Sequence, residues 1–176
     1  MPNHVTNRLR FCDPTSEAKV GDDIFRHICK VLQGNNPEQV IDFNELIRMP
    51  DGYVDDGRWY DWACQNWGTK WNAYESSRDD YGKELTFLTA WSHPEPVVRE
   101  ISRRFPDVLI RHGWADEDVG YNVGEMTWLG GECIDENIPS GGSQDALKLF
   151  AEIMDESLED YGYEYVNGRW IFEEER

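Results

Sequence analysis

Residues 84–115, ELTFLTAWSHPEPVVREISRRFPDVLIRHGWA, hold a strand, a helix start, a helix and a second strand in succession. Leu85, Phe87, Thr89 and Trp91 recur with period two, the signature of a strand with one buried face. Ser92-His-Pro-Glu95 has capping-box spacing, in which a hydroxyl and a carboxylate satisfy free amides at a helix start. Val97, Val98, Ile101 and Phe105 then mark one helix face up to Pro106, and Asp107–Ala115 reads as the next strand.

Upstream, Val5, Asn7, Leu9 and Phe11 alternate with Thr6, Arg8 and Arg10, which predicts a half-buried strand over His4–Phe11. Thr15 or Ser16 can cap a helix running to about Gln33 and stopped by Gly34, although Gly21 would favour a start at Asp22. Val20, Ile24, Ile28 and Val31, widened by Phe25 and Leu32, form its apolar stripe. A short strand over Val40–Ile47 follows, then an insert over about 50–83 with a short helix from Arg58 to about Asn66 and a polar turn from Ser76 to Gly82. Downstream, Tyr121–Leu129 is a further strand beyond the acidic bend 116–118. The order β-α-β-(insert)-β-α-β-β predicts an α+β, ferredoxin-like split βαβ antiparallel sheet with two helices on one face, its other face left for a partner or the insert.

Residues 133–176 read as an acidic appendage packed on a core of 1–132. Pro139-Ser-Gly-Gly142 breaks the chain, and a helix from Ser143 to about Tyr161 buries Leu147, Phe150, Ala151, Met154 and Leu158. Tyr163–Val166, Asn167-Gly168 and Arg169–Glu173 form a hairpin, because Asn-Gly suits the positive φ angles of a type I′ turn.

The chain has 176 residues, 35 Asp and Glu against 17 Lys and Arg, a net charge of −18 and 13% aromatic residues. So many rings argue against wholesale disorder, and no apolar run is long enough to cross a bilayer. With no leader pattern either, a soluble cytoplasmic protein is expected. Cys12, Cys29, Cys64 and Cys133 are too far apart for zinc-ligand spacing and are expected to pack as buried thiols, and no metal or cofactor is implied. His4, His27, His93 and His112 are equally scattered.

Two segments concentrate chemistry. Asn66-Trp-Gly-Thr-Lys-Trp-Asn72 places Trp67, Thr69, Lys70, Trp71 and Asn72 together. It could grip a planar or anionic ligand, or plug the insert onto the sheet. Ala115-Asp-Glu-Asp-Val-Gly-Tyr-Asn122 places Asp116, Glu117 and Asp118 beside Tyr121 and Asn122. Three adjacent carboxylates could bind a cation or a partner, or work as acid and base, or form a solvated turn.

Met1-Pro-Asn-His-Val-Thr-Asn7, Ile41-Asp-Phe-Asn44 with Met49-Pro50, the 66–72 segment, Thr89-Ala-Trp-Ser92 and the 116–124 stretch together resemble the YubB-type ferredoxin-like family of plasmid and phage proteins. The resemblance covers about residues 1–132. It implies a ferredoxin-like fold without an iron–sulfur cluster, and it supplies no established activity.

Charge adds the functional expectation. Residues 133–176 hold 12 acids and 3 bases, and 1–132 hold 23 and 14, so each part carries −9. On the tail helix Asp145, Glu152, Glu156, Glu159 and Asp160 fall within about 100° of arc. Such a surface repels nucleic acid and membranes and attracts a basic protein. The expected function is therefore non-enzymatic binding of a basic host protein by a mobile-element accessory protein, with imitation of DNA as a sharper variant. DNA imitation would need the tail, the acidic bend and the 51–61 acids on one continuous face, since one helix carries charge too sparsely. The alternative is a small-ligand binder or metal-dependent enzyme using the two segments above.

Overall fold

The computed structural model describes residues 3–173; Met1-Pro2 of the opening motif and 174–176 of the expected tail lie outside them. Nine residues, His4–Cys12, form β1, and α1 spans Asp22–Gln33. A 3-10 turn at Phe43–Glu45 and α2 (Trp59–Asn66) lead to β2 (Tyr74–Asp79) and β3 (Glu84–Ala90). Then come α3 (Glu95–Arg104), β4 (Leu109–Asp116), β5 (Val123–Leu129), β6 (Glu132–Asn137), α4 (Gln144–Met154) and the β7–β8 hairpin (Tyr163–Val166, Arg169–Phe172). The first six strands form one antiparallel sheet in the order β2-β3-β1-β4-β5-β6. Central β1 pairs with β3 and β4, setting Asn7 opposite both Phe87 and Trp114.

Alternation fixes the layers. One sheet face carries Val5, Leu9, Phe11, Leu85, Phe87, Ile110, Trp114 and Trp128, packed with Phe25, Ile28 and Leu32 of α1 and Val97, Val98 and Ile101 of α3. The insert joins this same core through Phe43, Ala63 and Trp67. On the opposite face, Ala115 and Val123 pack under Ala146, Leu147, Phe150 and Ile153 of α4. That face is thus covered over β4 and β5 by α4, and the insert lies on the helix-bearing face. Arg8, on the α4 side of β1, donates to the Glu152 and Ile153 carbonyls at 3.3 Å and pairs with Glu84 at 2.6 Å. Its guanidinium thereby satisfies carbonyls left free at the α4 C-terminus.

Several sequence expectations change. The helix begins at Asp22, and Thr15 and Ser16 sit in a turn where their amides donate to Asp13. Ile24, expected in the apolar stripe, is exposed. Val40–Ile47 is not a strand, because Asp42 caps the 3-10 turn and Asn72 accepts from the Phe43 amide, so local side chains take the backbone groups. Ser76–Gly82 is not all turn, since its first part belongs to β2. No capping box forms at Ser92, whose hydroxyl donates to the Gly68 carbonyl at 2.5 Å while Glu95 pairs with Arg99. The tail begins inside a sixth strand, β6. Its helix stops at Met154, where Asp155 takes the left-handed conformation (φ 55°, ψ 41°), and Leu158–Tyr161 is a separate 3-10 turn. Cys12 and Cys29 are buried as expected, and burial pushes the Cys29 thiol up to about 11. Cys64 and Cys133 are exposed instead.

Both outer strands of the sheet are polar. Every residue of β6 is exposed, and β2 has an irregular register between Tyr74 and Ser77. Among the described residues no helix is long and apolar enough to cross a membrane.

Candidate functional site at one end of the sheet

The start of β1 and the ends of β3 and β4 meet at one end of the sheet, and both chemistry-bearing segments converge there. Thr69 is buried, its hydroxyl donating to the Ala90 carbonyl at 2.8 Å and accepting from the Ala90 amide. This ties the 66–72 segment to the last residue of β3. Trp67 is a plug: its indole is buried against Trp62 and Phe43, and its Nε1 donates to the Ile47 carbonyl at 2.9 Å. Asn72 is equally structural, accepting from the Phe43 and Ala73 amides and donating to Asp42.

The remaining two residues of that segment face outward. Lys70 Nζ lies 4.6 Å from the Trp71 ring centre, 4.7 Å from Trp91 and 6.0 Å from Tyr60. All three rings are partly exposed, and the Tyr60 and Trp91 rings meet edge to face at 6.2 Å. No carboxylate lies within ion-pair distance of Lys70 among the described residues, in a chain with twice as many acids as bases. Sequence placed Trp91 on the buried face with Leu85, Phe87 and Thr89. The strand instead ends at Ala90, and Trp91 turns outward with φ 71°. Positive φ is a costly conformation for a bulky side chain. It is held by the Trp91 amide donating to Asn3 O at 2.9 Å and by Asn122 Nδ2 donating to Trp91 O at 3.1 Å.

Asp116 anchors this arrangement from the neighbouring strand. Its buried carboxylate accepts from Asn3 Nδ2 at 3.0 Å, Asn122 Nδ2 at 2.9 Å and the Asp118 amide at 3.0 Å. With its oxygens engaged by N–H donors, Asp116 orders the bend around Trp91. Glu117 and Asp118 are exposed, and the Glu117 amide donates to His4 O. Tyr121 is half-exposed and lies over Gly141 and Gly142. No group of three or more His, Cys, Asp or Glu is placed to hold a metal ion among the described residues. The Tyr74 hydroxyl titrates above its ordinary value, through burial first and then the charges of Glu75 and Glu117.

Beneath the site lies a buried polar group that sequence did not single out. Asn7 donates to Thr89 Oγ1 at 2.8 Å, and its amide oxygen lies 3.1 Å from His112 Nε2. His93 stacks on Trp114 with ring centres 3.8 Å apart, and burial pushes it down to about 4. His112 is pushed well below its ordinary value by burial and then by His93. Both imidazoles are therefore neutral at pH 7.

The acidic residues of the tail do not form one helical stripe. Asp145 and Glu152 are exposed on α4, whereas Glu156, Glu159 and Asp160 lie beyond Asp155, in and beside the 3-10 turn. The Tyr161 hydroxyl bonds Glu156, and the Ser157 hydroxyl bonds Glu159.

An antiparallel six-stranded sheet with these helices makes this an α+β protein, and the family match places it in the ferredoxin-like class. The family described as "Ferredoxin-like domain in Api92-like protein" matches residues 70–157, half of the chain, and the chain belongs to that family. The match takes in Lys70, Trp71, Trp91 and the 116–122 bend. Among solved structures, a protein api92 from Yersinia pseudotuberculosis is 22% identical over 48% of this chain and 31% of that one, with a TM-score of 0.37. The chain thus spans about a third of that protein's length. No curated protein matches the chain.

Proposed function

We propose that this is a non-enzymatic binding protein that takes a basic protein partner on the carboxylate-rich side formed by the C-terminal part of the chain. The supporting observation is where charge is compensated. Ten of the bases in residues 8–111 form ion pairs, whereas residues 112–173 hold 15 Asp and Glu against only Lys148 and Arg169. Most of these acids are exposed, on β6, α4 and the segment after it. A surface with such an excess of one sign speeds encounter with an oppositely charged partner and does so less as salt rises. Imitation of DNA is not part of the proposal: the 51–61 acids belong to the insert, across the sheet from α4, and Asp51 and Asp56 are paired with arginines.

The strand order β2-β3-β1-β4, with α1 and α3 in the connections, supports treating the sheet as a split βαβ arrangement extended by β5 and β6. A YubB-type relationship, and with it a mobile-element setting in a bacterial cytoplasm, is the part of this proposal that rests on the motifs of residues 1–132.

Two variants with equal net charge test the location of binding. One neutralises Glu152, Asp155, Glu159 and Asp160 to their amides, and the other does the same to Asp23, Asp51, Asp55 and Asp61. Binding to an immobilised lysine-rich peptide is expected to weaken in the first only, and to fade between about 50 and 300 mM salt. Equal weakening in both would show that net charge alone is responsible and overturn the proposal.

A further inference from the structure

We propose that Tyr60, Trp71 and Trp91 form an aromatic cage for an alkylated ammonium group, carried on a methylated lysine of a partner protein, and that Lys70 fills this cage in the free protein. Three ring faces around one ammonium at 4.6, 4.7 and 6.0 Å are the geometry of cation–π recognition. Lys70 fits it poorly in one respect. A primary ammonium carries three N–H donors, and rings offer it no oxygen acceptor. A trimethylammonium group has no N–H to satisfy and is weakly hydrated, so it loses less on entering the same space.

A second observation concerns Trp91. Its left-handed backbone is strained for a side chain of this size, and two side-chain and backbone partners, Asn122 and Asn3, hold it so. The strain does not serve burial, because the indole stays 45% exposed. What it achieves is the placement of a third ring face beside Tyr60 and Lys70. Strain kept at an exposed aromatic residue points to recognition. Nearby carboxylates favour a cation carried on protein over the same cation in a phosphocholine headgroup. Glu75 and Glu117 act on Tyr74, which lies edge to face with Trp71 at 6.3 Å, and the chain as a whole is at −18, which repels phosphate.

The proposal is independent of the acidic C-terminal surface, and its test separates the two. Trimethyl-lysine peptide and tetramethylammonium chloride are titrated against the protein while the indole N–H signals of Trp71 and Trp91 are followed by NMR. Saturable binding is expected, tightened about fivefold or more in Lys70→Met, where the internal competitor is gone. It should weaken about tenfold or more in Trp91→Gly, which keeps the backbone conformation and removes the ring. Neutralising Glu152, Asp155, Glu159 and Asp160 is expected to leave it unchanged. The proposal is overturned if neither the natural protein nor Lys70→Met shows saturation, or if the two bind equally. It is also overturned if a neutral tert-butyl analogue binds as tightly, or if phosphocholine vesicles bind in preference to the peptide.

Discussion

The indole of Trp114 lies flat against Gly124, its cross-strand partner, so closely that a Cβ at Gly124 would stand 2.3 Å from the ring. Gly124 needs no positive φ, so its requirement is for space alone. Trp114 in turn supports His93 by stacking, and the loop before α3 rests on that pair. Gly124→Ala is expected to lower stability by about 1–3 kcal/mol through forced displacement of the indole. Urea unfolding with tryptophan fluorescence measures this; an unchanged midpoint would show that the ring can shift without cost.

Asp116→Ala removes the acceptor shared by Asn3, Asn122 and the Asp118 amide. The three donors lie on exposed residues and can turn to water, so the loss is that of the hydrogen bonds to the charged carboxylate, about 1.5–3 kcal/mol in all. Because Asn122 also bonds the Trp91 carbonyl, the variant is expected to broaden the Trp91 indole signal in NMR more than that of Trp67. Equal behaviour of the two signals would sever the supposed link between Asp116 and Trp91.

Asp155 combines two unfavourable features, a left-handed backbone without glycine and a carboxylate just past a helix C-terminus. Asp155→Gly is expected to stabilise the protein by up to about 1 kcal/mol, seen as a higher thermal midpoint. A lower midpoint would mean that the carboxylate has a role the backbone geometry does not reveal.

His93 gives the fold a defined response to acid. Burial holds its folded value down to about 4, against an ordinary value of 6.5. Between these the unfolded chain binds the proton and the native protein does not, so stability falls as pH drops from about 6.5 toward 4 and is unaffected above. The loss attributable to His93 is on the order of 3 kcal/mol at the bottom of that window. His112 adds to it in the same direction. His93→Phe, which retains stacking on Trp114, is expected to flatten the change in urea midpoint between pH 7 and pH 5. A profile as steep as that of the natural protein would assign the acid response elsewhere.

Sequence alone revealed the elements that bury one side and expose the other. In β1, β3 and β5 burial alternates along the strand, β4 is a run buried on both faces between a helix end and the acidic bend, and the Asn167-Gly168 hairpin follows from turn chemistry. β2 and β6 were illegible for the complementary reason. As outer strands they bury almost nothing, so no alternation marks Tyr74–Asp79 or Glu132–Asn137. The end of α4 was missed because Asp155, not glycine, takes the left-handed position. Of the candidate site, Lys70 and Trp71 stood out as neighbours, and so did the Asp116–Asn122 bend. Tyr60 and Trp91 did not, since only the Thr69–Ala90 link and the outward turn after β3 bring their rings to Lys70.

The polar character of the two outer strands decides how this molecule behaves in a crowd. An open strand edge is a template on which another copy can add its own strand, and repetition of that step yields fibres. Along β6, a second copy laid antiparallel would bring Glu132, Asp135 and Glu136 against the same carboxylates of its neighbour. At the other rim, the irregular register beside Glu75 breaks the straight run of hydrogen bonds that stacking requires. Both rims of the six-stranded sheet thus disfavour the addition of a further strand.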